Sequence, residues 1–252
     1  MSNLVDKGRN INNKTPTSSE NMVYNNQINK QIIIKNLGIM NYQDTLTMMQ
    51  NFTLNRTSDT LDEIWVLEHY PVFTLGLAAN VSHILNASHN IPIIKSDRGG
   101  QVTYHANGQL IIYLLLNLKK LDYSIRELVI RIENSIINYL LKSFNIQAYS
   151  NRAAPGVYVA NKKIASLGLK VKNSYIYHGL SFNINMDLTP FSWINVCGYS
   201  NLQVTQLKDL LLEQQCNVTD ELLLAHMPQN LNLNVIATDV VQSLVHQLYS
   251  SN

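Results

Sequence analysis

Hydrophobic residues along this chain recur with two periods, and the changes of period mark out the expected elements. Tyr42, Leu46, Met49 and Phe52 share one face of a helix predicted from Tyr42 to about Asn55. The clearest amphipathic stretch follows Ser124: Ile125, Leu128, Val129, Ile132, Ile136, Tyr139 and Leu140 repeat at helical spacing, so Arg126, Glu127, Arg131, Glu133, Asn134 and Lys142 would face away. Strand composition marks Ile32 to Gly38, Ile64 to Gly76 with Pro71 breaking or bulging it, and Ile91 to Asp97. Gly108 to Leu118 is a continuous apolar run of strand length, the pattern of a central strand covered on both faces. Gly156 to Val171 reads as two strands joined by a turn at Asn161-Lys162, and Ile176 to Asp187 as one more. Helical patterns then dominate: a short one at Pro190 to Trp193, one across Val204 to Gln214, and one or two within Thr219 to Leu248.

Strands interleaved with helices, then helices clustered at the end, predict an α/β (α+β) fold: a single domain with a mixed β-sheet packed with helices. Residues 1–31 are rich in Asn, Ser, Thr and Lys without apolar periodicity and read as a disordered or loosely attached N-terminal extension. The domain itself would occupy residues 32–252.

Charge changes the picture only by exclusion. Five basic residues against two acidic fall in the first 35, which leaves 14 basic and 15 acidic for the rest. A neutral body without a basic stripe argues against nucleic acid as a partner. The start of the chain lacks a signal-peptide core, and the apolar run around Leu110 to Leu118 is too short to span a bilayer. A cytoplasmic protein with reduced thiols is expected, with Cys216 a spare one. The seven histidines are scattered, with no zinc-ligand spacing, so no metal is expected.

Chemistry concentrates in three segments. Cys197 lies in WINVCGYSNLQVTQL, a glycine-flanked loop that suits a nucleophile, although a small apolar core residue fits the same composition. Lys163, first after the expected hairpin turn, is either a solvated lysine or a cation aimed into a cleft, able to pair with a thiolate and move protons. Arg98-Gly99-Gly100, followed by Gln101, Val102, Thr103, Tyr104 and His105, can bring a ligand against the main chain and leave amides for a carbonyl oxygen. No Gly-Lys-Ser/Thr follows, so it is not a phosphate loop. His105 and His178 each read as a base, a pocket wall or a structural histidine. Tyr104, Val102, Leu167 and Leu180 can line an alkyl slot or simply the core.

Taken in order, these segments resemble the lipoyl(octanoyl) transferases of protein lipoylation. The matching motifs are RGGQVTYH at Arg98 to His105, GQLIIY at Gly108 to Tyr113, KIASLGL at Lys163 to Leu169, HGLSFNI at His178 to Ile184 and INVCGYSNLQVTQL at Ile194 to Leu207. The resemblance implies a lipoate/biotin protein ligase-like fold. It implies that Cys197 takes an octanoyl group from octanoyl-acyl carrier protein as a thioester and passes it to a lysine ε-amine on a lipoyl domain. Such domains belong to 2-oxoacid dehydrogenase E2 subunits and the glycine cleavage H protein. It further implies that Lys163 favours the thiolate and transfers protons, and that Arg98 to His105, Ser166, Leu167, Gly168, Gly179, Leu180 and Ser181 contact the substrate. Thioester to amide runs downhill, so the reaction implied calls for no cofactor. Two positions depart from the family pattern: Ala106-Asn107 stand where Gly-Pro is usual, and Val196 where Pro precedes the cysteine. An ATP-dependent lipoate–protein ligase, or a non-catalytic protein that binds lipoyl domains or acyl carriers, would share the fold; the INVCGYS segment and the Cys197 and Lys163 pair weigh against both.

Overall fold

The most apolar segment forms the centre of the molecule. Strand β7 (Gln109–Asn117) is buried at all nine positions, and its side chains alternate between two cores. Leu110, Ile112, Leu114 and Leu116 enter the larger core, whereas Ile111, Tyr113 and Leu115 enter a second one on the opposite face. This is why the run reads as continuously hydrophobic.

The computed structural model describes residues 21–25, 31–86, 90–200, 202–217 and 231–249. Around β7 the chain places β1 (Asn21–Asn25), β2 (Gln31–Met40), β3 (Asp62–His69), β8 (Tyr149–Ser150), β9 (Gly156–Val159), β10 (Lys162–Lys172) and β11 (Tyr175–Asn183). They make an eight-stranded sheet in the order β1-β2-β3-β7-β11-β10-β9-β8. Only β2 and β3 pair in parallel, so the sheet is mixed. A three-stranded sheet is formed by β4 (Val72–Leu75) between β5 (Ile93–Lys95) and β6 (Val102–His105). Pro71 separates β3 from β4, so the single apolar stretch at Ile64 to Gly76 serves two sheets.

Helix α1 (Tyr42–Asn55) covers one face of the large sheet through Tyr42, Leu46 and Met49. The other face is covered by α2 (Ile125–Phe144), α3 (Leu207–Asn217) and α4 (Leu233–Tyr249). Helix α2 starts where Ser124 accepts the amide of Glu127, and stops at Asn145 in the left-handed region with φ 54°.

Several expectations need correction. Asn21–Asn25, within the extension expected to be disordered or loosely attached, pair with β2 as a strand; residues 1–20 and 26–30 lie outside the described residues. The helix expected from Val204 begins at Leu207, as α3. Of the helical pattern at Thr219 to Leu248, residues 218–230 lie outside the described residues, and α4 accounts for the rest. The hairpin turn falls at Ala160 and Asn161, whose φ values of 46° and 65° both lie in the left-handed region. Arg131 and Glu133 do not face solvent: both are buried. Arg131 sits over the Tyr123 ring, pairs with Glu127 and donates to the Gln247 carbonyl of α4, so a second helix lies over the supposed outer face.

One buried ion pair locks α1 to the sheet. Arg56, just past the end of α1, pairs with Asp62 of β3 and donates to the Leu115 carbonyl of β7 at 2.8 Å. Removing one partner of such a pair strands the other's charge in the interior. Arg56→Ala is therefore expected to lower unfolding stability by about 3 kcal/mol, measured by urea denaturation; a loss under about 1 kcal/mol, the range of a surface pair, would contradict the account.

Candidate active site

The residue that decides the site is a buried lysine. A β-bulge between Lys163 and Ala165 interrupts the pairing of β10 with β9, so Lys163, Ile164 and Ala165 are all buried in succession. Bulges re-aim side chains in this way. Lys163 is the second residue of β10, and its backbone is bracketed by hydrogen bonds to Gln203 and from Thr205. The Val204 segment, expected to be helical, is thus held extended beside it. The side chain is 2% exposed. Its Nζ donates to the Pro155 carbonyl at 2.9 Å and to Cys197 Sγ at 3.2 Å, and lies 5.4 Å from the Tyr158 ring centroid.

Cys197 occupies a short turn, Val196–Gly198, with φ 54° and ψ 21°. That left-handed conformation is uncommon for a side chain larger than glycine and occurs where the surroundings fix it. Here the fixing contacts are Asn195 N–H to the His83 carbonyl and the bridge between Ile84 and Ile194. Gly198 follows with φ 81°. The thiol is partly exposed, as a nucleophile has to be.

Cys197 and Lys163 line a cavity of about 470 Å³, within the range of small-molecule sites. Of the expected substrate-contacting residues, Arg98 to Thr103, His105, Ser166 to Gly168 and Gly179 to Ser181 all lie on its wall. Tyr104 does not: it points into a third, smaller core between β4, β6 and the Phe191 segment, its ring against Phe73 and Phe191. Burial pushes its hydroxyl up to about 12. Alternation along β6 explains the split, since Thr103 and His105 face the cavity from a strand whose Tyr104 faces away.

Arg98, on the cavity wall, organises the turn through its guanidinium. It donates to the Thr74 hydroxyl and carbonyl and to the carbonyls of Gly99 and Gln101. The Gly99 amide, expected to be open to a substrate, donates to the Leu169 carbonyl at 3.0 Å. Gly168 lets β10 approach the Arg98 turn closely: a Cβ there would lie 3.0 Å from the Gly99 carbonyl oxygen, a contact tight enough that the neighbour would have to give way.

The far wall is polar. Tyr42, Tyr113, His105 and His178 line it, and His69 lies behind. His69 donates from Nδ1 to the Met40 carbonyl and accepts from Tyr113 at Nε2 (2.7 Å); burial lowers it to about 4. Gln109 donates its amide hydrogens to Tyr104 and Asn183, so its oxygen accepts from His105 Nδ1. Burial above all, with the Arg98 charge adding to it, holds His105 well below the usual histidine range. His178 donates from Nε2 to Asp97 at 2.9 Å and is likewise lowered by burial, against the pull of Asp97. Burial acts to raise Asp97, but hydrogen bonds from His178, Tyr177 and Gln50 outweigh it and hold the carboxyl well below its ordinary range. These histidines are neutral wall groups at physiological pH. Tyr42, Ile111, Tyr113, Ile125 and Val129 were not singled out as pocket residues, because helix and strand periodicity show burial without showing which buried side chains border a void.

Residues 41–240 match the family described as the lipoyl protein ligase A/B catalytic domain. The octanoyltransferase of Chromobacterium violaceum is 51% identical over 200 residues, 79% of this chain and 96% of that protein. The chain belongs to the octanoyltransferases of this family. The octanoyltransferase of Laribacter hongkongensis is 50% identical over 198 residues, 79% of this chain and 95% of that protein. Among solved structures, a lipoate-protein ligase A bound with ATP has the same fold, with TM-score 0.68 at 11% identity over 86% of this chain and 85% of that one. A putative lipoate protein ligase from Thermoplasma acidophilum with bound lipoic acid has TM-score 0.66 at 11% identity, over 86% and 85%. No helix among the described residues is long and apolar enough to cross a membrane.

Gly156 keeps this octanoyltransferase's lysine in place. Its φ is 141°, and a Cβ on it would stand 2.4 Å from Lys163 Cε. Gly156→Ala should displace the amine and cut kcat/KM for transfer on the order of a hundredfold, the scale of a 1 Å misplacement. A wild-type rate from the folded variant would contradict the assigned position of Lys163.

Proposed function

We propose that this octanoyltransferase works through a thioester on Cys197, with Lys163 as its proton carrier and residues 32–252 as the catalytic unit. The observation that carries this is the 3.2 Å contact between Lys163 Nζ and Cys197 Sγ in the wall of a largely apolar cavity. The chain is an acyltransferase, and the donor and acceptor are of the acyl-thioester and lipoyl-domain kinds. We read the donor as octanoyl-acyl carrier protein and the acceptors as lipoyl domains of 2-oxoacid dehydrogenase E2 subunits and the glycine cleavage H protein.

The steps balance with no further reactant. The Cys197 thiolate attacks the donor thioester carbonyl; the carrier thiolate leaves and takes a proton from the Lys163 ammonium. The neutral ε-amine of the acceptor lysine then attacks the enzyme thioester. Its proton passes to Lys163, the amide forms, and Cys197 leaves as thiolate, which restores the starting pair. One cation thus stabilises the thiolate twice and moves one proton in each direction. Thiol esters exchange at near balance and the amide is the lower product, so the cycle runs forward without a nucleotide.

Leu167 and Leu180 offer the octanoyl chain an apolar wall, extended by Ile125 and Val129 from α2, whereas the Val102 side chain lies with Tyr104 in the core on the other face of β6. Each buried methylene contributes about 0.8 kcal/mol, so a hexanoyl donor should lose on the order of tenfold in kcat/KM. Equal rates for the two donors would mean that the tail is not held in this cavity.

Mixing the protein with octanoyl-acyl carrier protein, without ATP, should give a hydroxylamine-sensitive octanoyl adduct by intact-protein mass spectrometry, absent from Cys197→Ala. Lys163→Arg should slow transfer at least a hundredfold, because a guanidinium keeps the charge and cannot return the proton. Lipoyl-domain modification that appears only with ATP and free acid would replace this reading with a ligase; no modification under either condition would leave a binding protein.

A further inference from the structure

We infer that Glu133 is a positioning residue for the reaction, acting on Lys163 through the Pro155–Gly156 peptide. The inference rests on the reading of Cys197 and Lys163 as the reacting pair.

Helical periodicity puts Glu133 on the outer face of α2, yet the residue is 5% exposed. Its Oε1 accepts the Gly156 N–H at 2.8 Å. The Pro155 carbonyl, which accepts from Lys163 Nζ at 2.9 Å, belongs to the same peptide unit. In a trans peptide the N–H and C=O point in opposite directions, so one planar dipole has the carboxylate at its positive end and the lysine at its negative end. A negative charge on the N–H side polarises the carbonyl oxygen further, and hydrogen bonds in such a chain strengthen one another. Glu133, the peptide, Lys163 and Cys197 therefore stand in series, with the glutamate charge nearer the amine than the thiol. The peptide also fixes direction: Pro155 takes one ammonium hydrogen, and a second is left for Sγ.

A buried carboxylate is costly where a neutral acceptor would do. Gln at position 133 would offer the Gly156 amide an equally good oxygen, so packing does not account for the charge. Burial raises the Glu133 carboxyl above its ordinary value, while the Gly156 amide, the Ser150 hydroxyl and the Lys163 charge each pull it back. The amine it faces is the largest fully buried side chain of the described residues. Without a counter-charge that amine would have only a neutral carbonyl, the Tyr158 ring and the thiol. The other titratable or charged groups around the pair have their own roles or positions. Arg98 is held by the glycine turn, the hydroxyls of Tyr158, Tyr199 and Tyr149 donate to Ala154, Ala153 and Asn161, and His83 lies beside Gly198.

The test is Glu133→Gln, which keeps the acceptor and removes the charge. The readout is the rate of Cys197 alkylation by iodoacetamide against pH, followed on the Cys197 peptide by mass spectrometry so that Cys216 does not contribute. Alkylation at neutral pH should fall about tenfold and the profile should move up by about one pH unit, with the thermal midpoint and the KM for lipoyl domain unchanged. In a Lys163→Gln background the same substitution should change nothing, as a residue acting through Lys163 requires. An unchanged or faster profile in the single variant, or an equal change in both backgrounds, would overturn the inference. If Lys163→Gln alone leaves the profile as in the wild type, the reading of the reacting pair fails, and the relay with it. The wild-type protein gives a second reading with no change at Glu133. In 13C-lysine-labelled protein the Lys163 Cε resonance should follow the Glu133 titration, and a resonance indifferent to that titration would also overturn the relay.

Discussion

The structure depends at one point on a charged amine held away from water. An ammonium group in the interior carries a desolvation cost of several kcal/mol, and Lys163, 2% exposed, meets it with a carbonyl, a thiol and an aromatic face. Much of the local architecture follows from that requirement. The bulge in β10 turns the side chain inward, and Gly156 is glycine because a Cβ would occupy the space of Lys163 Cε. The backbone at Gln203 to Thr205 runs beside β10 rather than starting a helix, which carries the preceding loop, and Cys197 with it, to the amine. The strained φ of Cys197 belongs to the same arrangement: the turn is held from outside by the segment at His83 and Ile84.

The opposite wall shows a different solution to polar burial. His69, His105 and His178 each have one ring nitrogen matched to a carbonyl, amide or carboxylate oxygen, so each neutral tautomer is set by its partners. Tyr42 stacks on His105, and Tyr113 lies edge-on to His178. The cavity wall thus carries two cations, Lys163 against the thiol and Arg98 held within the glycine turn, beside histidines that are polar without being charged. In the mechanism we propose, a negative charge developing at the thioester carbonyl would find its nearest positive partner at Lys163, with no imidazolium to compete.

The sequence pattern was informative wherever one element faces one core. Helix α1 matches its predicted bounds, β7 reads as a two-faced central strand, and Pro71 marks the division between sheets. More than half of the cavity wall was legible as well, because those residues lie in short motifs whose order is specific. The failures share a cause. Arg131 and Glu133 look like solvent-facing charges because helical periodicity reports one apolar stripe, whereas α2 is also covered by α4 and by the loop before β9. Tyr104 looks like a pocket residue because its neighbours are, but strand alternation turns it into a separate core. Arg98 lies on the cavity wall as expected, but only three-dimensional closure shows that its guanidinium hydrogen-bonds within the turn. Each of these depends on a partner distant in sequence, which periodicity cannot supply.

The central claim is that Cys197 carries the group that reaches the acceptor. The direct measurement is a chase: enzyme loaded with isotopically labelled octanoyl group, freed of donor, is mixed with lipoyl domain in the presence of excess unlabelled octanoate. The account predicts that the label leaves Cys197 and arrives undiluted as an amide on the lipoyl-domain lysine, at a rate no slower than steady-state turnover. Label that stays on Cys197, or reaches the lysine far more slowly than turnover, would contradict it.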